Sequence, residues 1–501
     1  MKLSEIRLKV KNIFQWIFKP GERLSQKVVH AGVWVFTLRI INRLFGLTRT
    51  IVLARLLAPN DFGLFGIAIL ALSSLESFSK TGFDQALIQR KEETISYLDT
   101  AWTIQVLRGV ILGIILFFAA PLVGTFFGEP RAVLIVRILG LAELIRGLRS
   151  VGIVYFRKDL EFHKQFIYKF SGTVADLAVA LPAAFVLRSV WALVFGLLAR
   201  NVVRSVFSYI VHSFRPSFVL DIDKARELID FGRWIMGLSI VTFIATKGDD
   251  IFLGRVLGST ALGLYQLAFR ISNLTATEIA KVISKVTFPA YSKIQENKDK
   301  LKKGFVNTLN VLINFTFPLT IVIILFSYSF VNLFLGEQWL PMVRSMQILA
   351  LAGFIRSISA TGVIFKSVGR PNLTFWMNLL RVLVIVGTIY PLTVNFGING
   401  TAISVLLGIV VTLPFWFKYS TEITSFSLFE LKSGIIPAFT SSLVFSILFW
   451  VMVSVLGSVS FVNFVLIAVL VLVSYLAIQW LFWRYYKWGL FNSVKLIRDQ
   501  I

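Results

Sequence analysis

The sequence predicts an all-α, polytopic membrane protein of about fourteen transmembrane helices, with two parallel six-helix repeats and two extra C-terminal helices. Composition, an internal repeat and the placement of basic residues predict it. The 501 residues are 56% apolar and 15% charged, with a mean hydropathy of +0.78. A soluble chain of this length would carry about 25% charged residues. The 47 Phe and 12 Trp suit lipid-facing and interfacial surface. The net charge of +25 would raise nucleic acid as a partner for a soluble protein. Here the basic residues sit mostly between apolar stretches, so membrane topology accounts for them and no nucleic acid is expected. Without cysteine there is no disulfide and no thiolate metal site. His30, His163 and His212 are too few and too scattered for a metal centre, so neither metal nor cofactor is expected.

Residues 32–68 align without a gap on residues 232–268, with 11 identities in 37 positions. Gly32, Trp34, Leu53, Arg55, Gly63 and Ala68 meet Gly232, Trp234, Leu253, Arg255, Gly263 and Ala268. Apolar bias yields chance Leu and Ile matches, but it does not readily pair Trp, Arg and Gly as well. A membrane protein of two related halves places its substrate site between them and works by rocking one against the other. A transporter is therefore the first functional expectation.

The elements follow in order. Residues 1–29 are basic, with Leu3, Ile6, Val10, Ile13 and Ile17 at helical spacing, and read as an amphipathic helix on the inner membrane surface. No cleavable signal pattern is evident. A spanning helix needs about 20 largely apolar residues. Candidates lie near 30–56, 61–79, 98–126, 132–156, 165–187 and 189–212, the N-terminal lobe 30–212. A cytoplasmic linker, 213–228, leads from it, and the stretch from Asp221 to Ile229 reads as a short interfacial helix. The C-terminal lobe 229–418 follows with 229–256, 261–291, 305–335, 341–365, 372–394 and 398–418. Residues 419–501 hold the last two spans, 433–456 and 463–483, and a cytoplasmic tail. With the N-terminus inside, the inner connections hold 29 Lys and Arg and the outer ones hold Arg131 and Arg188 alone. That asymmetry is what the positive-inside rule demands, and it puts both termini in the cytoplasm. All outer loops are short, so none can house a catalytic domain.

Charges within spans cost about 2.5–3.5 kcal/mol each on insertion scales and tend to face a bundle interior or a wet cavity. In the first span Arg39, Asn42, Arg43, Gly46 and Thr50 share a helical face, with Arg49 at its border. The seventh span repeats the stripe as Ser239, Thr242, Thr246 and Asp250, flanked by Lys247 and Asp249. A second stripe in the eighth span runs Gln266, Arg270, Asn273, Thr277, Lys281, Ser284, and Glu278 lies on the same span. Lys169, Thr173 and Asp176 share a face of the fifth span; Glu143, Arg146 and Arg149 lie in the fourth, and Arg356 and Ser357 in the tenth. Several of these charges have plainer readings. Lys80, Arg157, Arg204, Lys366 and the Arg55/Arg255 pair lie near span ends, where long side chains reach the interface. Glu143 and Arg146 are spaced to pair with each other. Asp249 and Asp250 are placed to accept hydrogen bonds or to pair with Lys247. Guanidinium binds phosphate bidentately and stays charged. An Arg-lined cleft thus suits a phosphate-bearing substrate and repels a cationic drug.

The run Leu53-Ala-Arg-Leu-Leu-Ala-Pro-Asn-Asp-Phe-Gly-Leu-Phe-Gly66 resembles the loop after the first span in Wzx-type polysaccharide flippases. Thr81-Gly-Phe-Asp-Gln-Ala-Leu-Ile-Gln-Arg-Lys91 is similar to their basic inner loop, and Gly248-Asp-Asp-Ile-Phe-Leu-Gly-Arg-Val-Leu-Gly258 to the start of their second repeat. Gly397-Ile-Asn-Gly-Thr-Ala-Ile-Ser404 resembles the beginning of their twelfth span. The resemblance covers roughly residues 30–420 and points to the polysaccharide transport branch of the multidrug/oligosaccharidyl-lipid/polysaccharide exporter superfamily. It implies a V-shaped two-lobe transporter and an undecaprenyl-pyrophosphate-linked oligosaccharide moved from the inner to the outer leaflet of the cytoplasmic membrane.

On that resemblance, Arg39, Asn42, Arg43, Arg49, Arg146, Arg149, Lys169, Lys247, Arg270, Asn273 and Arg356 are the candidates for holding pyrophosphate and sugar. Asp176, Asp249, Asp250 and Glu278 are candidates for coupling or gating. Membrane lipid, H+ or Na+ or the membrane potential, and a glycan polymerase or export complex are the partners to test. A lipid II flippase or a small-molecule antiporter of the same fold is the first alternative. A cation-drug antiporter should show an acidic cavity, unlike this chain. A membrane glycan polymerase or ligase is the second alternative; it would need a large outer loop, and none is present, so no enzyme is expected.

Overall fold

A computed structural model describes residues 41–79, 95–159, 161–273, 279–456 and 460–489. These are helices and turns, with no strand among the described residues. Ten stretches among them are long and apolar enough to cross a membrane. The backbone explains why: with no water in the bilayer, every N–H and C=O must be satisfied within its own helix. The chain divides into two compact units, 1–247 and 248–501.

In the first unit α1 (residues 41–56) is followed by α2 (Pro59–Phe78), α3 (Ile95–Phe127), α4 (Ala132–Gly147), α5 (Phe162–Leu187) and α6 (Trp191–Val211). α1 stops at residues 57–58, and Pro59 starts α2 at the position where its missing N–H costs nothing. Asp61 fixes this corner: one carboxylate oxygen accepts from the Ala58 N–H at 3.1 Å, the other from the Val190 N–H at 3.0 Å. A single side chain thus caps α2 and ties it to the start of α6. α3 and α4 meet backbone to backbone along Gly109, Gly113, Gly140 and Gly147. A Cβ on Gly140 would lie 2.9 Å from the Gly113 carbonyl oxygen. Small residues give membrane helices this close approach.

In the second unit α7 (Ile222–Ser272), which crosses the unit boundary, is broken at Gly258 (φ 81°). α8 (Ala280–Ile294), α9 (Lys298–Phe330) and α10 (Val343–Ser359) follow, then α11 (Pro371–Val410), broken at Gly397 (φ 58°), and α12 (Leu413–Thr424). α13 (Lys432–Leu456) and α14 (Phe461–Tyr486) pack on α9. Phe326, Phe445, Phe449, Ile467 and Val471 form that seam, and Tyr475 donates to the Asn314 carbonyl at 2.7 Å.

The repeat reappears as burial. Leu53 and Leu253 are both fully buried, as are Ala68 and Ala268, while Arg55 and Arg255 are both exposed. The break at 57–58 matches the break at Gly258 at the same offset. Four of the other short connections that the basic-residue pattern places outside turn on Gly128, Arg188, Gly336 and Gly397, each with positive φ. Glycine adopts this left-handed geometry without penalty.

Some expected boundaries need correction. Residues 221–229 are not a separate short helix: α7 begins at Ile222 and runs unbroken to Gly258, because no proline interrupts it. The fourth span stops at Gly147; Ser150 accepts from the Gly152 N–H and restarts the chain as a short 3-10 turn, Val151–Val154. The tenth span ends in the 3-10 turn Ala360–Gly362. The twelfth breaks after Val410, with Pro414 opening α12. The basic segment 1–29 lies outside the described residues.

Candidate functional site

The first unit buries two charge clusters. The polar stripe of α1 turns toward α5: Asn42 accepts from the Thr173 hydroxyl at 2.9 Å, and two turns along α1 Arg49 Nε lies 2.8 Å from Asp176. Arg200 of α6 donates to the same carboxylate oxygen, Oδ2. Asp176 is fully buried, and its Oδ1 has no hydrogen-bond partner among the described residues. Gly196 makes room for it, since a Cβ there would fall on the carboxylate. One turn further Arg204 lays its stem over Gly172 and donates to the Lys169 carbonyl at 3.3 Å. Two guanidiniums therefore share one carboxylate, with a third beside them, and this face carries net positive charge.

The second cluster joins α2, α3 and α4. Arg146 pairs with Glu143 at 2.8 Å and also with Glu76. Arg108 donates to the Ser79 carbonyl at 2.7 Å and to the Glu76 carbonyl at 3.2 Å. Gln105 closes the end of α4 by donating to the carbonyls of Gly147 and Arg149, both at 2.8 Å. Two carboxylates meet two guanidiniums here, so this cluster is balanced and binds three helices together.

In the second unit Asp249 accepts from the Tyr265 hydroxyl at 2.9 Å, and Asp250 is buried. Asn273, buried, accepts from Arg356 at 2.9 Å, and the Arg356 guanidinium stands 5.4 Å over the Phe269 ring. The stripe expected along the eighth span does not keep one environment. Asn273 is enclosed where α10 packs, with Ser272 donating to the Met346 carbonyl at 2.6 Å, whereas Arg270 is exposed. Along α7 Thr242 and Thr246 are exposed, and Phe243 and Asp250 are buried. Arg43, Lys169 and Lys247 are half-buried. Arg39 and Glu278 lie outside the described residues, as do Thr277 and the side chain of Lys281.

The structure thus brings together Asn42 with Thr173, Arg49 with Asp176, and Asn273 with Arg356. It ties Arg146 to two carboxylates. Sequence reasoning missed Glu76, Arg108 and Arg200. Arg200 and Arg204 are four apart on one span, a spacing that stacks two guanidiniums on one face and could have drawn attention. The sequence places Arg204 near a span end, reaching for the interface, yet its stem is packed against α5.

Comparison with known proteins agrees with this architecture. The lipopolysaccharide biosynthesis protein WzxC of Escherichia coli K12 is 26% identical over 391 residues, covering 77% of this chain and 79% of its own. The teichuronic acid biosynthesis protein TuaB of Bacillus subtilis is 27% identical over 300 residues, 59% of this chain and 62% of its own. Among solved structures, the lipid II flippase MurJ in an inward closed conformation superposes with a TM-score of 0.72 at 14% identity, covering 90% of this chain and 99% of that one. At that identity the likeness concerns the fold. Residues 52–344, well over half the chain and spanning both breaks of the repeat, match the family described as polysaccharide biosynthesis protein, and the chain belongs to that family.

Proposed function

We propose that the protein is a flippase that carries an undecaprenyl-pyrophosphate-linked oligosaccharide from the inner to the outer leaflet of the cytoplasmic membrane by alternating access. The observation that carries this reading is the excess of guanidinium over carboxylate inside the first unit, where Arg49, Arg200 and Arg204 gather around Asp176 alone. Buried charge without a counter-ion costs several kcal/mol, and an anionic headgroup passing along the α1 face offsets that cost. The names of the relatives, lipopolysaccharide and teichuronic acid biosynthesis proteins, support a glycan cargo.

In this reading the lobes are 30–212 and 229–418, both termini are cytoplasmic, and the protein transports without catalysing a covalent step. Arg39, Asn42, Arg43, Lys169, Lys247, Arg270, Asn273 and Arg356 are the side chains offered to the headgroup. Arg49 and Arg149 are further contacts for it, and Arg146, tied to Glu143 and Glu76, holds its helices in register. Asp176, Asp249, Asp250 and Glu278 are the groups through which H+, Na+ or the membrane potential drives the cycle.

The test is leaflet access in reconstituted vesicles, with a fluorescent undecaprenyl-pyrophosphate oligosaccharide, lipid II and a cationic dye run in parallel. Accelerated movement of the oligosaccharide alone is expected, and it should fall in Arg43→Ala. Movement of lipid II instead would reassign the cargo to cell-wall synthesis. Movement of the dye alone would sink the flippase reading.

A further inference from the structure

The second unit holds a half-open cavity of about 320 Å³ lined by residues of that unit alone. Three cations line it: Arg356 of α10, Lys366 of the short helix Val363–Ser367, and Arg381 of α11. No carboxylate lines it, and among the described residues none of the three is in an ion pair. Thr374, Asn378 and Arg381 follow one another at i, i+4 and i+7 along the first turns of α11, so one helical face points its polar groups at this space. The positive end of the α11 dipole, at Pro371, lies at the same end.

Three polar atoms around the cavity are buried without a hydrogen-bond partner: Arg356 Nε, Thr374 Oγ1 and Trp416 Nε1. Trp416 is only 5% exposed, so its indole N–H is out of reach of bulk water. An unmet buried donor costs about 1–3 kcal/mol, and native structures rarely carry several in one place without an occupant. Three positive charges, three unmet groups able to donate and no acceptor carboxylate describe a site for an anion. Asp249, beyond the lining, offsets part of the charge of Arg356 and Arg381, and the excess that remains still favours a multiply charged group. Guanidinium forks match phosphate oxygens in geometry, and the volume equals about ten waters, enough for two linked phosphates.

We propose that this cavity is a phosphate site within the C-terminal unit, held by Arg356, Lys366 and Arg381 with the Trp416 N–H and the Thr374 hydroxyl, and that it takes a pyrophosphate or a similarly multivalent phosphate. The phosphate comes from a lipid-linked pyrophosphate or from an anionic lipid headgroup. Only the first source rests on the transport reading above; the binding itself does not.

The experiment is calorimetry on the full chain in phosphatidylcholine nanodiscs, titrated with inorganic pyrophosphate at low and high salt. Binding that weakens with salt is expected, and Arg381→Gln should weaken it tenfold or more. Trp416→Phe keeps the ring and removes the donor, and should weaken it several-fold. The exposed Arg484→Gln on α14 should leave it unchanged. Each variant is first checked for a monodisperse, thermally stable particle; Lys366→Gln replaces Arg381→Gln if the latter fails. Loss of the signal when undecaprenyl pyrophosphate is placed in the disc assigns the site to the lipid-linked cargo. Loss with cardiolipin assigns it to a resident lipid. No pyrophosphate binding, or binding indifferent to Arg381, Lys366 and Trp416 alike, would overturn the proposal. Vesicles that fail to flip the lipid-linked glycan while pyrophosphate binding persists and depends on Arg381 would remove the transport reading and leave the site standing.

Discussion

Asp176 joins α5 to α1 and α6 through one oxygen atom. Both its guanidinium contacts fall on Oδ2, with Arg49 Nε at 2.8 Å. At that distance two opposite charges attract by about 6 kcal/mol for an effective dielectric of about 20, before desolvation is counted. Breaking a buried pair by removing one partner costs about 3–5 kcal/mol. Arg49 is 12% exposed and takes that full range, whereas Arg200 is 30% exposed and is discounted to about 1 kcal/mol for solvent screening. Asp176→Asn keeps the shape and one acceptor, so a loss of about 4 kcal/mol is expected, roughly three decades in the unfolding equilibrium. Adding Arg49→Gln removes the stranded charge and should return about 2 kcal/mol, since replacing both partners is far milder than replacing one. The assay is denaturation of the purified protein in mixed detergent, followed by tryptophan fluorescence for the parent, both single variants and the double. Asp176→Asn costing less than about 1 kcal/mol, or a double variant as unstable as the sum of the singles, would refute the reasoning.

Other outcomes follow from the same structure. Gly140→Leu should separate α3 from α4 and cost about 1–3 kcal/mol by overpacking, because even a Cβ would sit 2.9 Å from the Gly113 carbonyl; Gly237→Ala, in open space, should not lower the melting temperature. Arg188 holds φ 43° and ψ 45° at the end of α5, so Arg188→Gly should stabilise by about 0.5–1 kcal/mol and raise the melting temperature, while Arg188→Ala should not. His212, just past α6, stacks on Tyr155 and accepts from the Phe214 N–H at 3.0 Å; burial, aided by Lys164, holds its imidazole below the usual histidine range. The folded state therefore favours the neutral ring. Its contribution is present above about pH 6.5 and is lost as the pH falls through the lower folded value. Stability measured from pH 7.5 to 5 should decline, and His212→Gln should flatten that decline.

What could be read along the chain was what depends on neighbours along the chain. Apolar runs, basic connections and an offset of 200 residues are local or periodic quantities, and they determined the helical class, the repeat and the places where the chain reverses. The burial shared by Leu53 and Leu253, and by Ala68 and Ala268, follows from them. The family was legible for the same reason, since its loops are fixed by turn chemistry at Pro59, Gly258 and Gly397. Helix ends were less legible, because Ser150 and Asp61 act through backbone groups that only a folded corner brings to them.

The partners of the charges were decided by tertiary structure alone. Periodicity places Arg49 and Asp176 on polar faces of their own helices, but it does not say that those faces meet, nor that Arg200 arrives on the same oxygen from a third helix. Nor does it separate Asn273, enclosed by α10, from Arg270 three residues earlier. A charge in a membrane is stabilised by whatever stands across from it, and what stands across is set by helix packing between residues 24 to 131 positions apart. Lys366 and Arg381 show the same division: each is an ordinary basic residue in sequence, and only the fold puts them with Arg356 around one cavity.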